Sequence, residues 1–307
     1  MVANSEWRIA SGEEKMAKRV VDDIVKALTI PHGRIVLPFN RFGSKGRWAR
    51  KLALLLPSHQ IYVEVFGGTG AVLLAKPPSP VEVFNDIDNE IVNFFQVLRT
   101  KPAELIVRCF LQPYARADFQ RYINEPMPND PVERAARYMF LTTAAFRYQD
   151  FREGTFSCHI SSGNAKKGNS NARRWVAKVN RLIWYAMRFR DVIIENRDFE
   201  DIFHIYDHPE TVFFCDPPYT QGEFAWSPSE HERLAKCLQQ LKGKFLLTID
   251  DSPLARQLYG DFHLITTLDG VASSSTRGGG KAKRMRHLVL ANYEPKVSKD
   301  GEDEGVD

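Results

Sequence analysis

Nowhere in this chain of 307 residues do two cysteines stand in C-x-x-C spacing. The four that exist (Cys109, Cys158, Cys215 and Cys237) are scattered. Their scatter argues against a zinc ribbon and a disulfide framework, and fits a reducing, cytoplasmic setting. The eight histidines show no metal-ligand spacing, so no metal is expected. No apolar run approaches the ~20 residues that span a bilayer, which argues against a membrane protein. The opening residues, with Glu6, Glu13 and Glu14, do not read as a signal peptide. There is no evident internal repeat. The dinucleotide form G-x-G-x-x-G is missing too, which disfavours a pyrophosphate cofactor.

What is present is a chain 43% hydrophobic, enough for one large domain or two smaller ones. Its net charge of +4 is mild but uneven. Residues 108–190 hold 15 Lys or Arg against 6 Asp or Glu, so the remainder is net negative. A basic segment on a neutral-to-acidic body is the footprint expected of a polyanion-binding module.

Apolar runs place strands at 61–66, 81–84, 192–194, 211–215, 245–249, 262–268 and 287–293. Helices are expected from Ala71, from Glu90 to about Thr100, over 131–147 and over 172–189. The strand–helix alternation argues for a parallel sheet. Between its halves the strand signals fade and helical patterns dominate, with a polar loop from Gly154 to Asn171. Met16, Val20, Ile24 and Leu28 repeat at helical spacing, an accessory helix over 5–29. The segment 297–307 is acidic and expected to be disordered.

Two strand ends carry chemistry. Thr211-Val212-Phe213-Phe214-Cys215 runs into Asp216-Pro217-Pro218-Tyr219. The prolines stop the strand and fix the backbone, so a carboxylate, a rigid carbonyl and an aromatic ring sit together at its C-terminal end. That is the edge where open α/β sheets bind ligands. Upstream, Phe66-Gly67-Gly68-Thr69-Gly70 lets backbone approach a ligand closely. Asp86 ends the next strand, 19 residues after Gly67, an offset at which an acid commonly bonds ribose hydroxyls. A nucleoside ligand without phosphates fits this pair.

Taken in order, these residues resemble the S-adenosylmethionine-dependent DNA adenine-N6 methyltransferases of the Dam-like, D12 class. The resemblance spans roughly residues 35 to 293. Pro38-Phe39-Asn40-Arg41-Phe42-Gly43-Ser44-Lys45 stands where such enzymes keep an aromatic, small residues and a cofactor-facing lysine. Lys45 matches the lysine. Arg41 replaces the usual aromatic, with Phe42 or Phe39 as its substitutes, and Gly43-Ser44 replaces two glycines. The resemblance implies a Rossmann-like methyltransferase sheet and a set of S-adenosylmethionine contacts. These are Arg41, Lys45, Glu64, Phe66, Gly67, Gly68, Gly70, Asp86 with its neighbour Ile87, Asp198, Phe199 and Asp216. It also implies a mostly helical target-recognition insertion at 108–190, between catalytic parts at 34–107 and 191–296, after an accessory helix in 1–33.

By the same resemblance Asp216, Pro217, Pro218 and Tyr219 are catalytic. The lone pair of an adenine amine is delocalised into the ring. Asp216 and the Pro217 carbonyl would accept its two N–H bonds and aim the lone pair, Pro218 stiffening the turn while Tyr219 stacks on the base. Double-stranded DNA is the expected partner, and a cognate restriction endonuclease is a candidate second one. Phosphates would be held by Arg147, Arg152, Lys166, Lys167, Arg173 and Arg174, and by Arg277, Lys281, Lys283 and Arg284 in a Gly-rich loop. Cytosine N4, an RNA adenine or a glutamine amide pose the same lone-pair problem and stay open, as does a catalytically silent DNA-binding relative. Asp88 is expected as a helix cap, Phe214 as core, and Asp250-Asp251 as either site lining or a cap.

Overall fold

The computed structural model describes residues 35–146, 154–158, 170–222, 225–271 and 284–294. The expected N-terminal helix, the acidic tail, most of the 154–171 loop and nearly all of the Gly-rich 273–284 loop lie outside the described residues.

Strands β1 (Ile61–Glu64) and β2 (Val81–Asn85) flank the short helix α2 (Ala71–Ala75), and α1 (Ala49–Leu55) precedes them. Five more strands complete the main sheet: β5 (Ile193–Glu195), β6 (Thr211–Cys215), β7 (Lys244–Asp250), β8 (His263–Val271) and β9 (Arg284–Ala291). The order across it is β5-β2-β1-β6-β7-β9-β8. Through β7 every pairing is parallel, but β9 runs antiparallel to both neighbours. The expected parallel sheet is thus present from β5 to β7, and one strand, β9, departs from it. A parallel return needs a helical crossover, and the sequence between β8 and β9 has no helical pattern.

The central strands read as unbroken apolar runs because both sheet faces are covered. Alternate residues separate cleanly. Tyr62, Phe84, Val212, Phe214 and Leu246 face one apolar cluster, while Val63, Val83, Phe213, Cys215 and Leu247 face the other. Helices α9 (Phe199–Tyr206), α10 (Pro228–Gln240) and α11 (Pro253–Tyr259) cover the second face.

The first face is covered by the chain between β2 and β5. This comprises α3 (Asn89–Thr100), α4 (Pro102–Phe110), α5 (Arg116–Asn124), α6 (Pro131–Ala144), α7 (Ser170–Val179) and α8 (Leu182–Phe189). The expected 131–147 helix stops at Ala144, where β3 (Ala145–Phe146) pairs with β4 (Thr155–Phe156). The expected 172–189 helix is two helices broken at Asn180 and Arg181. Position 108 lies inside α4, and Phe140, Trp175 and Tyr185 join the same buried cluster as Phe84 of the sheet. The helical segment thus shares one core with the sheet. Among the described residues no helix is long and apolar enough to cross a membrane.

Candidate active site

The sheet order reverses between the parallel strands β1 and β6, the chain passing from β1 to β2 on one side and from β6 to β7 on the other. Their C-terminal ends open into a cleft of about 1020 Å³. Open α/β sheets bind ligands at such a switch point. Phe66 to Gly68 leave β1 and line one side; Asp216 to Tyr219 leave β6 and line the other.

The glycine turn is forced by its neighbours. A Cβ on Gly67 would lie 2.3 Å from the Phe84 ring and 2.8 Å from the Asn85 carbonyl. Gly68 and Gly70 have φ of +53° and +66°, a region that favours glycine. Below the turn, Glu64 is buried and accepts hydrogen bonds from the Tyr62 hydroxyl at 2.9 Å and the Leu73 N–H at 2.8 Å. Burial outweighs both and pushes its carboxyl up to about 8.

Asp86 is buried at the end of β2 and accepts from the N–H groups of Gly68 at 2.7 Å and Asp88 at 2.9 Å. Burial raises its carboxyl above the ordinary value despite the nearby Arg41 charge. Ile87 is 69% exposed at the rim. Asn85 fastens three strand ends together: its amide donates to the Val65 and Arg197 carbonyls and accepts from the Arg197 N–H. Asp88 caps α3 as expected, accepting from the Glu90 N–H at 2.9 Å, and also pairs with Arg41 at 2.9 Å.

Asp198 lines the cleft beside Phe199, caps α9 and pairs with Arg233 at 2.7 Å. The Arg233 guanidinium lies 4.5 Å from the Phe199 ring centroid. Phe66, Phe199 and Trp226 form an aromatic wall with centroids 5.4–5.9 Å apart. Trp226 carries no motif of its own in the sequence, and only folding places it there.

The segment before β1 reaches the same cleft. Phe39 is fully buried against Phe94 and Tyr138, so it cannot replace the missing aromatic; the partly exposed Phe42 and Arg41 line the cleft instead. Ser44 bonds Thr69 at 3.0 Å, holding this segment onto the glycine turn. From the helical side, Lys178 donates to the Leu37 carbonyl and the Asn40 side chain, each at 3.0 Å. Lys45 lines the cleft, but its ammonium goes to Asp216, at 2.5 and 2.7 Å from the two carboxylate oxygens. Burial alone would depress that ammonium; Asp216 outweighs burial and pushes it up to about 12.

Thr248 and His287, which carry no motif in the sequence, hold the D-P-P-Y turn, and Asp250 holds the residue that follows it. Thr248 donates to Asp216 at 2.7 Å. Asp250 accepts from the Thr220 N–H at 2.8 Å and the Thr220 hydroxyl at 2.6 Å, so it lines the site, while Ser252 caps α11. The Tyr219 hydroxyl meets His287 Nδ1 at 2.7 Å. Phe214 is core, as expected.

Of the expected phosphate contacts, Arg173 and Arg174 are exposed on α7. Arg284 opens β9, with its side chain outside the described residues. Arg147, Arg152, Lys166, Lys167, Arg277, Lys281 and Lys283 lie outside them altogether.

Sheet order, glycine turn, buried acid and D-P-P-Y turn together define a Rossmann-like methyltransferase. Residues 42–269 match the D12 class N6 adenine-specific DNA methyltransferase family, and the chain belongs to that family. Among the amines the sequence left open, membership selects adenine N6 in DNA. Two relatives are Type II methyltransferases. The chain is 26% identical over 286 residues to the Type II methyltransferase M1.LlaDCHI of Lactococcus lactis subsp. cremoris, covering 83% of this chain and 95% of that one. It is 25% identical over 243 residues to the Type II methyltransferase M.CviBI of Paramecium bursaria Chlorella virus NC1A, covering 76% and 89%. An rRNA methylase structure from Streptococcus thermophilus aligns at 8% identity and a TM-score of 0.31, covering 82% and 98%, a likeness too slight to carry weight.

Proposed function

We propose that the cleft binds S-adenosylmethionine along the β1 side and receives, against Tyr219, an adenine extruded from double-stranded DNA. The observation that carries this is the meeting of the glycine turn and Asp216 in one cleft at the switch point. The lining suits the cofactor. Gly67 keeps backbone open where a Cβ has no room, Asp86 presents a carboxylate for ribose hydroxyls, and Ile87 and the Phe66–Phe199 wall offer apolar surface to a purine. When bound, the cofactor supplies an electrophilic methyl group on a good leaving group.

The chain's own residues do the rest. Asp216 and the Pro217 carbonyl accept the two N–H bonds of the adenine amine and aim its lone pair. Thr248 sets the orientation of the carboxylate, which also offsets positive charge developing on the nitrogen. Tyr219 stacks on the base, a contact worth roughly 1–3 kcal/mol. That helps offset the few kcal/mol spent on extrusion.

The helical segment 108–190 serves as the target-recognition module, with Arg173 and Arg174 among its phosphate contacts. A cognate restriction endonuclease is the natural partner, given the Type II relatives. The test is incubation with labelled S-adenosylmethionine and unmethylated DNA, followed by sequencing of the modified bases. Label on N6 of adenine in one sequence context is expected. Absence of cofactor binding, or label on RNA or protein instead, would overturn the reading.

A further inference from the structure

The closing strand delivers a histidine to the site. Because β9 runs against its neighbours, its first residues lie at the edge where the parallel strands end. There His287 pairs in register with Asp250 of β7 and Leu268 of β8. Asp250 grips Thr220, and His287 meets the hydroxyl of Tyr219. Two facing residues on adjacent strands thus hold two consecutive residues, the last of the D-P-P-Y turn and the one that follows it.

The imidazole is itself held. It is 7% exposed, and the Trp48 ring packs on it at a centroid distance of 5.2 Å. Trp48 in turn occupies space beside Gly270, where a Cβ would come within 2.8 Å of its ring. Burial, helped by the Lys45 charge, holds the His287 imidazolium down at about 4, so the ring is neutral near pH 7. Burial likewise pushes the Tyr219 hydroxyl up to about 12. Tyr219 therefore donates, Nδ1 accepts, and Nε2 carries the imidazole proton. The two rings meet at 60° with centroids 5.3 Å apart, so His287 does not stack on Tyr219.

We infer that His287 is a positioning residue for methyl transfer, fixing the plane of the Tyr219 ring on which the target adenine stacks. A stacking platform works only when held to within about 10–20°, and a hydroxyl anchored at the far end of the ring limits its tilt. The inference rests on Tyr219 being the base platform.

The test compares variants in single-turnover methyl transfer to unmethylated DNA at saturating S-adenosylmethionine, with cofactor affinity measured separately without DNA. His287→Phe should slow transfer about 10- to 100-fold. Its cofactor Kd should stay within about twofold of the parent. His287→Asn places an amide near the former Nδ1 and should recover transfer to within about fivefold of the parent. Tyr219→Phe should be as slow as His287→Phe, and the double variant no slower than either. A His287→Phe enzyme at the parental rate, additive losses in the double variant, or no recovery in His287→Asn would overturn the inference. Should His287→Phe fail to fold by thermal denaturation, slow Tyr219→Phe beside fast His287→Asn supports the inference, and any other pairing overturns it. Tyr219→Ala separates the underlying reading: full activity there removes the platform itself, whereas an inactive Tyr219→Ala with an active His287→Phe removes only the role of His287.

Discussion

Lys45 and Asp216, 171 residues apart in the chain, form an ion pair in which the ammonium of the buried lysine reaches both oxygens of a half-buried carboxylate. Thr248 takes a further lone pair. A carboxylate offers about four acceptor sites, so protein donors already occupy most of them. An incoming adenine amine must share Asp216 with Lys45 or displace it.

Asp216→Ala is therefore expected to do two things. Methyl transfer should be abolished while DNA binding is largely kept, as read by labelled transfer and filter binding. Stability should also fall, by about 3–5 kcal/mol, because Lys45 is left buried and unpaired. Adding Lys45→Met should return much of that loss in a denaturant titration without returning activity. Equal stability of the single and double variants would show that the pair is not coupled in this way.

Gly67→Ala tests the glycine turn. The added methyl meets the Phe84 ring and the Asn85 carbonyl at 2.3 and 2.8 Å. Overpacking of this kind costs about 1–3 kcal/mol. The turn must shift toward the cleft to relieve it, so cofactor affinity by calorimetry should drop together with stability. A variant that binds cofactor normally would show that the turn does not contact it.

Glu64 makes stability depend on pH. Folded, it holds its proton to about pH 8, whereas its ordinary value is 4.5. Its contribution is thus full below pH 4.5 and is lost as pH rises through 8. Thermal midpoints of the cofactor-free protein should decline across that window, and Glu64→Gln should flatten the decline. A profile unchanged by Glu64→Gln would assign the dependence to other groups.

DNA affinity should fall steeply with salt if the basic helical segment clamps phosphates. Each lost phosphate contact reduces the log–log slope by about 0.9. Arg173→Gln and Arg174→Gln should each lower the slope by that amount when titrated on one duplex. A slope that neither variant changes would place the phosphates elsewhere.

Much of this site was legible because its pieces are strand ends. The apolar run before Asp216 located β6, and the glycine turn and Asp86 located β1 and β2, since strands covered on both faces advertise themselves. Asp88 as a cap was readable from its place before a helix. What stayed hidden were partners far apart in sequence. Nothing local to His287 points to Tyr219, and Thr248 lies within an apolar run with no mark of its own. The direction of β9 was hidden too, because an apolar run states that a strand exists and not which way it runs. The break at Asn180 and Arg181 lay inside a continuous helical pattern, where Trp175 and Tyr185 seek the same core from two helices.

The order of synthesis gives the reversed strand one more meaning. The glycine turn, Asp86 and Asp216 all precede residue 217, but the partner of the Tyr219 hydroxyl is made only with β9, the last described strand. A nascent or truncated chain lacking it would still carry the D-P-P-Y turn and the basic helical segment, but not the residue that meets Tyr219. On the inference drawn above, the chain reaches its full transfer rate only once β9 is in place between β7 and β8.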